Sequence, residues 1–264
     1  RGARFSRHAV TWDVRVSARS DLAVVVSEQV KTVLEQKRYG GETLQFPLGV
    51  NTDQFRPMEE VRARKRAELG VENRFVVGYV GRFVEEKGIF TLLEALELAK
   101  DQPLHFVFVG NGPLLPDIEK AKALYPDRVT IATDVKHREV HLWMNAFDVL
   151  VLPSLTKPNW KEQFGRVILE AMACKVPVIG SDSGEIPVLL KQTGGGWTFP
   201  EGDARALLER IRYVGQEPAE RQQAANRGFE AVHNHFSKKA IAALLANKLE
   251  SLKNQPANRV SRHR

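Results

Sequence analysis

From about residue 75 onward the sequence alternates between two periodicities, and this alternation constrains the fold more than any other feature. Short apolar runs rich in β-branched and aromatic residues, such as RFVVGYV and LHFVFVG, are each followed by a stretch with helical spacing. Six such strand-like runs occur. Apolar strands that alternate with helices indicate βαβ units and a parallel sheet covered on both faces. The right-handed crossover rule then favours a Rossmann-like doubly wound α/β domain.

The segments that flank this domain have a different organisation. SDLAVVVS and ETLQFPL predict strands, and SEQVKTVLEQKR predicts a helix with Ser27 as its N-cap. Two strands and one helix cannot close a domain, so we interpret residues 1–56 as the remnant of a second α/β domain with its linker. Residues 57–236 form the Rossmann-like domain. An amphipathic helix is predicted over 237–253, followed by a disordered basic tail over 254–264.

Composition and charge exclude several classes of protein. The net charge is +7, but residues 1–20 hold five Arg and one Asp, and residues 248–264 hold five Lys or Arg and one Glu. The remaining chain is nearly neutral, so no nucleic-acid partner is expected. The longest apolar stretches, such as residues 147–152, are too short to span a bilayer. The single cysteine, Cys174, excludes an internal disulfide, and its apolar surroundings indicate a buried small hydrophobe.

Two loops that follow strands carry candidate phosphate-binding residues. In open α/β sheets, ligands bind beyond the carboxyl ends of the strands. After the first of the six strands, Gly81 permits a tight exit, and Arg82 and Lys87 supply two cations that suit a diphosphate. After the second strand, the two glycines of GNGP allow a ligand to approach the backbone closely. An ordinary surface loop and a plain turn explain these two segments equally well.

The stretch EQFGRVILEAMA is more informative, because it places two glutamates around a helix start. Glu162 lies in the loop after LPS, and Gly165 begins the next helix, so the amides of Arg166 and Val167 are unpaired donors for an anion. Glu170 lies five residues beyond Gly165, a rise of about 7.5 Å. This rise suits a carboxylate that accepts hydrogen bonds from a ribose whose phosphates lie at the helix start. Glu162 would then face the group attached beyond the phosphates.

Five motifs in order resemble those of a known family. GRFVEEKG, VGNGPL, DVLVLPS, EQFGRVILEAMA and PVIGSDSGEIP are together similar to the C-terminal, donor-binding half of retaining glycosyltransferases of family 4, which have the GT-B fold. The resemblance covers about residues 14–252. Its most specific part is the E-x7-E spacing of Glu162 and Glu170.

The resemblance implies transfer of a sugar from a UDP-, GDP- or ADP-sugar to the hydroxyl of a saccharide or lipid-linked acceptor, with retention. Arg82 and Lys87 are expected to hold the diphosphate, Glu162 to contact the donor sugar and Glu170 to bind the ribose. The expected catalytic residues are Arg82, Lys87 and Glu162. The other donor-binding residues that it implies are Gly81, Gly110, Asn111, Gly112, Thr133, Asp134, Val135, Phe164, Gly165, Arg166 and Val167. Neither a metal nor another cofactor is expected.

Three departures from the family pattern limit the resemblance. Lys175 stands where relatives usually have glycine, and a left-handed conformation there would cost about 1 kcal/mol. Val188 stands where relatives often have Glu. By comparison with the family pattern, we expect the sequence to lack the acceptor-binding domain before its last strands, so the family's histidine near the reaction centre is not assigned to any residue of this sequence. His105, His137 and His141 are interpreted as surface or core residues.

The missing domain also bears on activity and location. We expect the chain to bind nucleotide but not to transfer sugar by itself. The expected location is the cytoplasm, with peripheral contact at the inner membrane through the missing domain as an alternative; the oligomeric state stays open. Two other functions remain: a sugar-nucleotide epimerase of the same fold, and a non-catalytic module that binds nucleotide-sugars.

Overall fold

The computed structural model of the protein describes residues 22–37 and 39–254. The strands of this part of the chain are β1 (Leu22–Val25), β2 (Glu42–Gln45), β3 (Phe75–Val80), β4 (Leu104–Val109), β5 (Val129–Ala132), β6 (Val149–Leu152), β7 (Val178–Ser181) and β8 (Gly196–Phe199). The α-helices are α1 (Glu28–Gln36), α2 (Glu59–Leu69), α3 (Ile89–Leu98), α4 (Leu115–Leu124), α5 (Val140–Met144), α6 (Arg166–Ala173), α7 (Ile186–Thr193), α8 (Ala204–Gln216), α9 (Pro218–Ala231) and α10 (Lys238–Asn254). Short 3₁₀ turns cover Glu85–Lys87 and His137–Glu139, and a π-helical turn covers Val232–Phe236.

Six strands form one parallel sheet in the order β5-β4-β3-β6-β7-β8. The chain starts in the middle with β3 and runs outward through β4 and β5. It then crosses to the other side of β3, where β6 pairs, and runs outward again to β8. The predicted doubly wound α/β fold is therefore confirmed, and the winding direction reverses between β3 and β6. The carboxyl edge beside this reversal is where such sheets bind ligands.

Both faces of the sheet are buried, because alternate residues of each strand enter opposite cores. In β4, Phe106 and Phe108 pack into one cluster with α3 and α8, whereas Val107 and Val109 pack into the other with α6 and α7. These four side chains are at most 1% exposed. Fully apolar strands are thus explained by helices on both faces.

A smaller unit precedes the sheet. Strands β1 and β2 pair in parallel, and α1 connects them. The predicted cap of α1 is present, since the Ser27 hydroxyl accepts a hydrogen bond from the Val30 amide at 3.4 Å. The linker and the start of α10 run side by side: the Val50 amide donates to the Phe236 carbonyl at 2.8 Å, and Lys238 donates to Val50 at 2.9 Å. Helix α10 then returns along the smaller unit.

Two helices are not predicted by the apolar periodicity. Helix α2 is mostly charged, and it is fixed by Arg66, which is 8% exposed. The Arg66 guanidinium donates to the carbonyls of Ala146 and Arg74 at 3.0 and 2.6 Å and pairs with Asp148. Helix α9 packs through small residues, of which Gly228 contacts the backbone of Gly195 closely.

The ends of the chain test the remaining boundaries only in part. Helix α10 includes Asn254, the first residue of the predicted tail, and the rest of that tail lies outside the described residues, as do residues 1–21. Within the described residues, none of the helices combines the length and the apolar character that crossing a bilayer requires.

Candidate functional site

The loops after β3 and β4 are joined by backbone contacts at the carboxyl edge of the sheet. The Gly81 amide donates to the Val109 carbonyl at 3.0 Å. Gly110 has φ 149°, and a Cβ there would lie 1.9 Å from the Gly81 carbonyl oxygen; at Gly112, with φ 157°, it would lie 2.5 Å from the Phe83 oxygen. Contact between the chain's own strands and loops is therefore sufficient to require both glycines, without a ligand. The side chain of Asn111, between the two glycines, folds back onto the following amide.

Arg82 is held through its backbone but not through its side chain. The buried Tyr79 hydroxyl donates to the Arg82 carbonyl at 2.7 Å, and burial raises the pKa of that phenol. The Arg82 side chain is 65% exposed and lies 3.6 Å from Glu86. Of the two cations expected to hold the diphosphate, Arg82 is thus the more exposed, with Glu86 as the ion-pair partner of its side chain.

Lys87 is fixed, and its partner is Glu162. The Lys87 ammonium lies 2.6 Å from Glu162 Oε2, and the Ser154 hydroxyl donates to the same oxygen at 3.0 Å. Ser154 is fully buried, and the Ser181 hydroxyl donates to its carbonyl at 2.5 Å. Within the described residues, Glu162 Oε1 has no hydrogen-bond partner and is not enclosed. The carboxylate is thus oriented through one oxygen and presents the other.

The start of α6 lies between the two glutamates. Gly165 is the N-cap residue, with a left-handed φ of 68° and no side-chain cap. The amides of Arg166 and Val167 have no acceptor in the part of the chain that the structure describes. Phe164 is buried in the core and Val167 packs against it, so both side chains face the protein interior. At these two positions, only the backbone is available to a ligand.

Glu170 forms a second cluster with residues from the loop after β5. Its side chain is 6% exposed, and Oε1 lies 2.8 Å from Arg166 Nε and 3.7 Å from His137 Nε2. The Arg166 contact is an ion pair without an aligned hydrogen bond, so Oε1 is a buried acceptor that still lacks a donor among the described residues. Burial raises the pKa of Glu170, against the opposing effect of Arg166.

His137 is a site residue that the sequence interpretation missed. It lies at the surface, as expected, but its Nε2 is 2.8 Å from Arg166 Nη2 and its ring is 5.7 Å from that of Phe55. Burial and the Arg166 charge lower its pKa, so the neutral imidazole accepts the Arg166 hydrogen bond. His105 is instead a core residue, whose pKa burial lowers to about 4. His141 is half-buried, 6.0 Å from the Phe55 ring.

The loop after β5 carries the three residues expected near the nucleoside. Asp134 is left-handed, with φ 58°, an unusual conformation for a residue other than glycine. The Thr133 hydroxyl donates to its carboxylate at 3.2 Å, and Val135 packs partly against the core. A local carboxylate contact of this kind makes the left-handed region accessible to Asp.

A cavity of about 840 Å³ lies between α1 and the loop that precedes Glu162. Its walls are formed by Ser27, Val30, Val33, Thr156, Lys157, Pro158, Asn159, Trp160, Lys161 and Gln163. The Lys87 ammonium lies 5.0 Å from the centre of the Trp160 ring, so this cavity adjoins the Lys87–Glu162 pair. Trp160 was not identified from the sequence, because nothing in its local pattern distinguishes it from a loop residue.

The remaining singled-out positions have structural explanations. Cys174 is buried, and burial raises the pKa of its thiol to about 12. Lys175 is left-handed, with φ 57°, as the family pattern implied. Val188 is 43% exposed beside a cavity of about 220 Å³ that Phe164 also lines. In the described part of the chain, His, Cys, Asp and Glu side chains form no group of three or more that could hold a metal ion.

Comparison with known proteins places this geometry in context. Residues 61–231 match the sequence family described as Glycosyl transferases group 1. TuaC of Bacillus subtilis (strain 168), named as a teichuronic acid biosynthesis glycosyltransferase, is 34% identical over 81% of this chain and 52% of its own length. Among solved structures, a sucrose-phosphate synthase from Thermosynechococcus elongatus superposes with a TM-score of 0.76 at 28% identity, over 96% of this chain and 64% of that one.

A further similar structure was solved with ligands bound. Anabaena Alr3699/HepE in complex with UDP and glucose has a TM-score of 0.75 and 25% identity to this chain, covering 94% of this chain and 68% of that one. The present chain spans about half the length of the curated relatives that it matches.

Proposed function

The chain belongs to the family of glycosyl transferases group 1, and on that premise we propose that it forms the donor-binding half of a glycosyltransferase. The enzyme would move a sugar from a nucleoside diphosphate to an acceptor hydroxyl, with retention at the anomeric carbon. One observation carries the proposal: the two glutamates of the E-x7-E motif flank an uncapped helix start, and each presents a carboxylate oxygen without a donor.

The donor is bound along this motif in three parts. Glu170 accepts hydrogen bonds from the ribose hydroxyls through Oε2, which has no hydrogen-bond partner among the described residues and, unlike Oε1 beside Arg166, is not enclosed. The amides of Arg166 and Val167 bind the diphosphate at the positive end of the α6 dipole. Glu162 Oε1 then accepts from a hydroxyl of the donor sugar.

Catalysis follows from where negative charge develops. When the bond between the sugar and the diphosphate breaks, the departing oxygen gains charge, and Lys87, Arg82 and the α6 amides stabilise it. Lys87 is already oriented by Glu162 and Ser154, so this part of the site needs little reorganisation. Arg82 adds its charge by moving in from solvent, because its side chain is 65% exposed.

A donor that consists of a sugar linked to a nucleoside diphosphate is supported by the structure of Alr3699/HepE, which was solved in complex with UDP and glucose. The two alternatives are less well supported. An epimerase needs separate acid and base groups at the sugar, and the two titratable groups proposed to lie nearest to it, Lys87 and Glu162, are paired with each other. A binding module without turnover would use the same contacts to the diphosphate, and the support for an enzyme over such a module comes from the family, whose named relatives are glycosyltransferases.

Calorimetric titration of the chain with UDP, GDP and ADP tests the proposal. We expect one of the three to bind with clearly higher affinity than its nucleoside, because the phosphates contact Lys87 and the α6 amides. A chain that is folded but binds none of the three nucleoside diphosphates would contradict the proposed function.

A further inference from the structure

The cavity beside Trp160 has a charge pattern that the proposed donor site does not use. Its walls include Lys157 and Lys161 but, among the described residues that line it, no acidic side chain. It lies directly before Glu162 along the chain and faces α1 of the smaller unit. Resting on the function proposed above, we propose that this cavity binds the acceptor, and that the acceptor is a sugar bearing an anionic group, either a carboxylate or a phosphate.

The loop that forms one wall of the cavity is held by hydrogen bonds within the protein. The Lys157 amide donates to the Trp160 carbonyl at 2.7 Å, the Trp160 amide donates back at 3.0 Å, and Pro158 restricts the turn between them. The segment before this turn is also fixed, since the Leu155 amide donates to Glu86 at 2.9 Å and the Thr156 amide donates to Glu201 at 2.8 Å. A ligand therefore meets a prepared surface, and little ordering opposes its binding.

The two lysines are available to an anion. Lys161 is exposed and has no acidic partner in the part of the chain that the structure describes. Lys157 lies 2.6 Å from Glu85, but the Glu85 side chain is 63% exposed. Solvent weakens such a pair, so a carboxylate or phosphate of the ligand can replace Glu85 at little cost. Two ammonium groups on one wall favour an anionic group through charge-assisted hydrogen bonds.

The other lining residues suit a sugar ring. Trp160 is half-buried and supplies an aromatic face, and Val30 and Val33 supply apolar surface on α1. Asn159 and Gln163 offer amide groups that can pair with hydroxyls. Because Trp160 also contacts the Lys87 ammonium, a ring bound against it lies next to the Lys87–Glu162 pair. An acceptor hydroxyl on that ring would therefore lie near the bond between the donor sugar and the diphosphate, which breaks during transfer.

The test compares methyl glycosides that differ only in the group at C6: methyl glucuronide, methyl glucoside 6-phosphate and the neutral methyl glucoside. Each is titrated against the full chain by saturation-transfer NMR in the presence of UDP. We expect the two anionic sugars to bind about tenfold more tightly than the glucoside, with a preference that weakens as salt is added. The tighter of the two identifies the anionic group as carboxylate or phosphate.

Substitutions of lysine residues test whether the cavity causes the preference for anionic sugars. Lys161→Ala should weaken the preference for anionic sugars and the double variant Lys157→Ala/Lys161→Ala should abolish it, whereas Lys122→Ala, which removes an exposed lysine on α4, should keep it in full. A wild-type chain without the preference, or a double variant that retains it, overturns the inference while UDP binding upholds the proposed function. Loss of UDP binding in Lys161→Ala would assign the lysine to the donor site and overturn the inference. A wild-type chain that prefers anionic sugars but binds no nucleoside diphosphate would overturn the proposed function and the acceptor assignment together.

Discussion

The Lys87 ammonium lies 2.6 Å from the Glu162 carboxylate, although 75 residues separate the two in the sequence. Both side chains are largely buried, at 17% and 11% exposure, and Ser154 donates to the same carboxylate oxygen. In the free protein, Lys87 is therefore not an isolated cation. A diphosphate that reaches Lys87 must share it with Glu162, which couples the phosphate-binding and sugar-binding parts of the proposed site.

Replacing Lys87 should separate phosphate recognition from nucleoside recognition. In Lys87→Ala we expect nucleoside diphosphate affinity to fall by about 1.5–3 kcal/mol, the range for hydrogen bonds to charged groups. The affinity for the nucleoside should stay unchanged, because the nucleoside carries none of the charge that Lys87 binds. Arg82→Ala should lose less, since its side chain is mostly exposed. Calorimetry with both ligands measures the difference.

Two variants control for damage to the fold. Lys87→Ala leaves Glu162 buried without its ion-pair partner, which is destabilising, and adding Glu162→Gln removes the uncompensated charge. Lys122→Ala serves as the matched surface control. If Lys87→Ala loses affinity for nucleoside and nucleoside diphosphate equally, the loss reflects structural damage and the assignment of Lys87 to the phosphates fails.

Glu170 should contribute to binding through the ribose. We expect Glu170→Ala to weaken nucleoside diphosphate binding by about 2–3 kcal/mol, the scale of charge-assisted hydrogen bonds to two hydroxyls. Glu230→Ala, at an exposed position on α9, should leave affinity unchanged. Calorimetry paired with a urea unfolding curve decides the matter: normal affinity in a well-folded Glu170→Ala chain contradicts the ribose assignment.

The same residue predicts a pH dependence. Burial raises the pKa of Glu170 above its ordinary value of 4.5, and ribose hydroxyls bind the ionised carboxylate. Affinity should therefore be complete above the raised pKa and decline as the pH falls through it. The nucleoside of whichever diphosphate binds best is a suitable ligand because it has no phosphate to titrate, and the titration runs from about pH 8 to about pH 4. Glu170→Gln should bind weakly but without this pH dependence; an identical decline in both proteins would show that another group is responsible.

Lys175 combines an unfavourable backbone conformation with a favourable ring contact. Its φ of 57° should cost about 1 kcal/mol relative to glycine, and its ammonium lies 5.1 Å from the centre of the Phe229 ring. Lys175→Gly removes the strain but also a cation–π contact of about 0.5–1 kcal/mol, so the free energy of unfolding should change little.

A double-mutant cycle separates the two effects. In a Phe229→Leu background the contact is already lost, and Lys175→Gly should then raise the free energy of unfolding by about 1 kcal/mol, measured with urea. Equal effects of Lys175→Gly in both backgrounds would show that the ring contact contributes nothing.

The sequence predicted the doubly wound sheet because its strands are short, apolar and separated by helices with regular spacing. It did not predict α2, because that helix is buried through Arg66 rather than through an apolar stripe. Arg66 finds its acceptors, Ala146 and Asp148, about 80 residues away, and no local pattern contains that information. Helix α9 was missed for a related reason: its small contact residues carry a weak periodic signal.

For the candidate site, the sequence predicted the two glutamates and the helix start, which are local features. It did not predict their partners. The Lys87–Glu162 pair was not anticipated, because the two residues were assigned to different parts of the donor. The sequence interpretation places His137 at the surface or in the core, whereas in the structure it lies two residues after Val135 and contacts Arg166. The position of Trp160 in a cavity wall depends on the packing of α1 opposite its loop, which the local sequence does not indicate.

The hydrogen bonds that join Val50 to Phe236 and Lys238 bear on how the two units can move. The linker and the start of α10 are the two covalent connections between them, and they meet at this one short bridge. Two connections at a single place act as one hinge, whereas connections at opposite ends would lock the units together. A rotation of the two units about this bridge would change the gap between Val30 and Trp160, which lie on different units, and with it the width of the opening beside Glu162. Lys87 and Glu162 lie on the same unit and would stay paired.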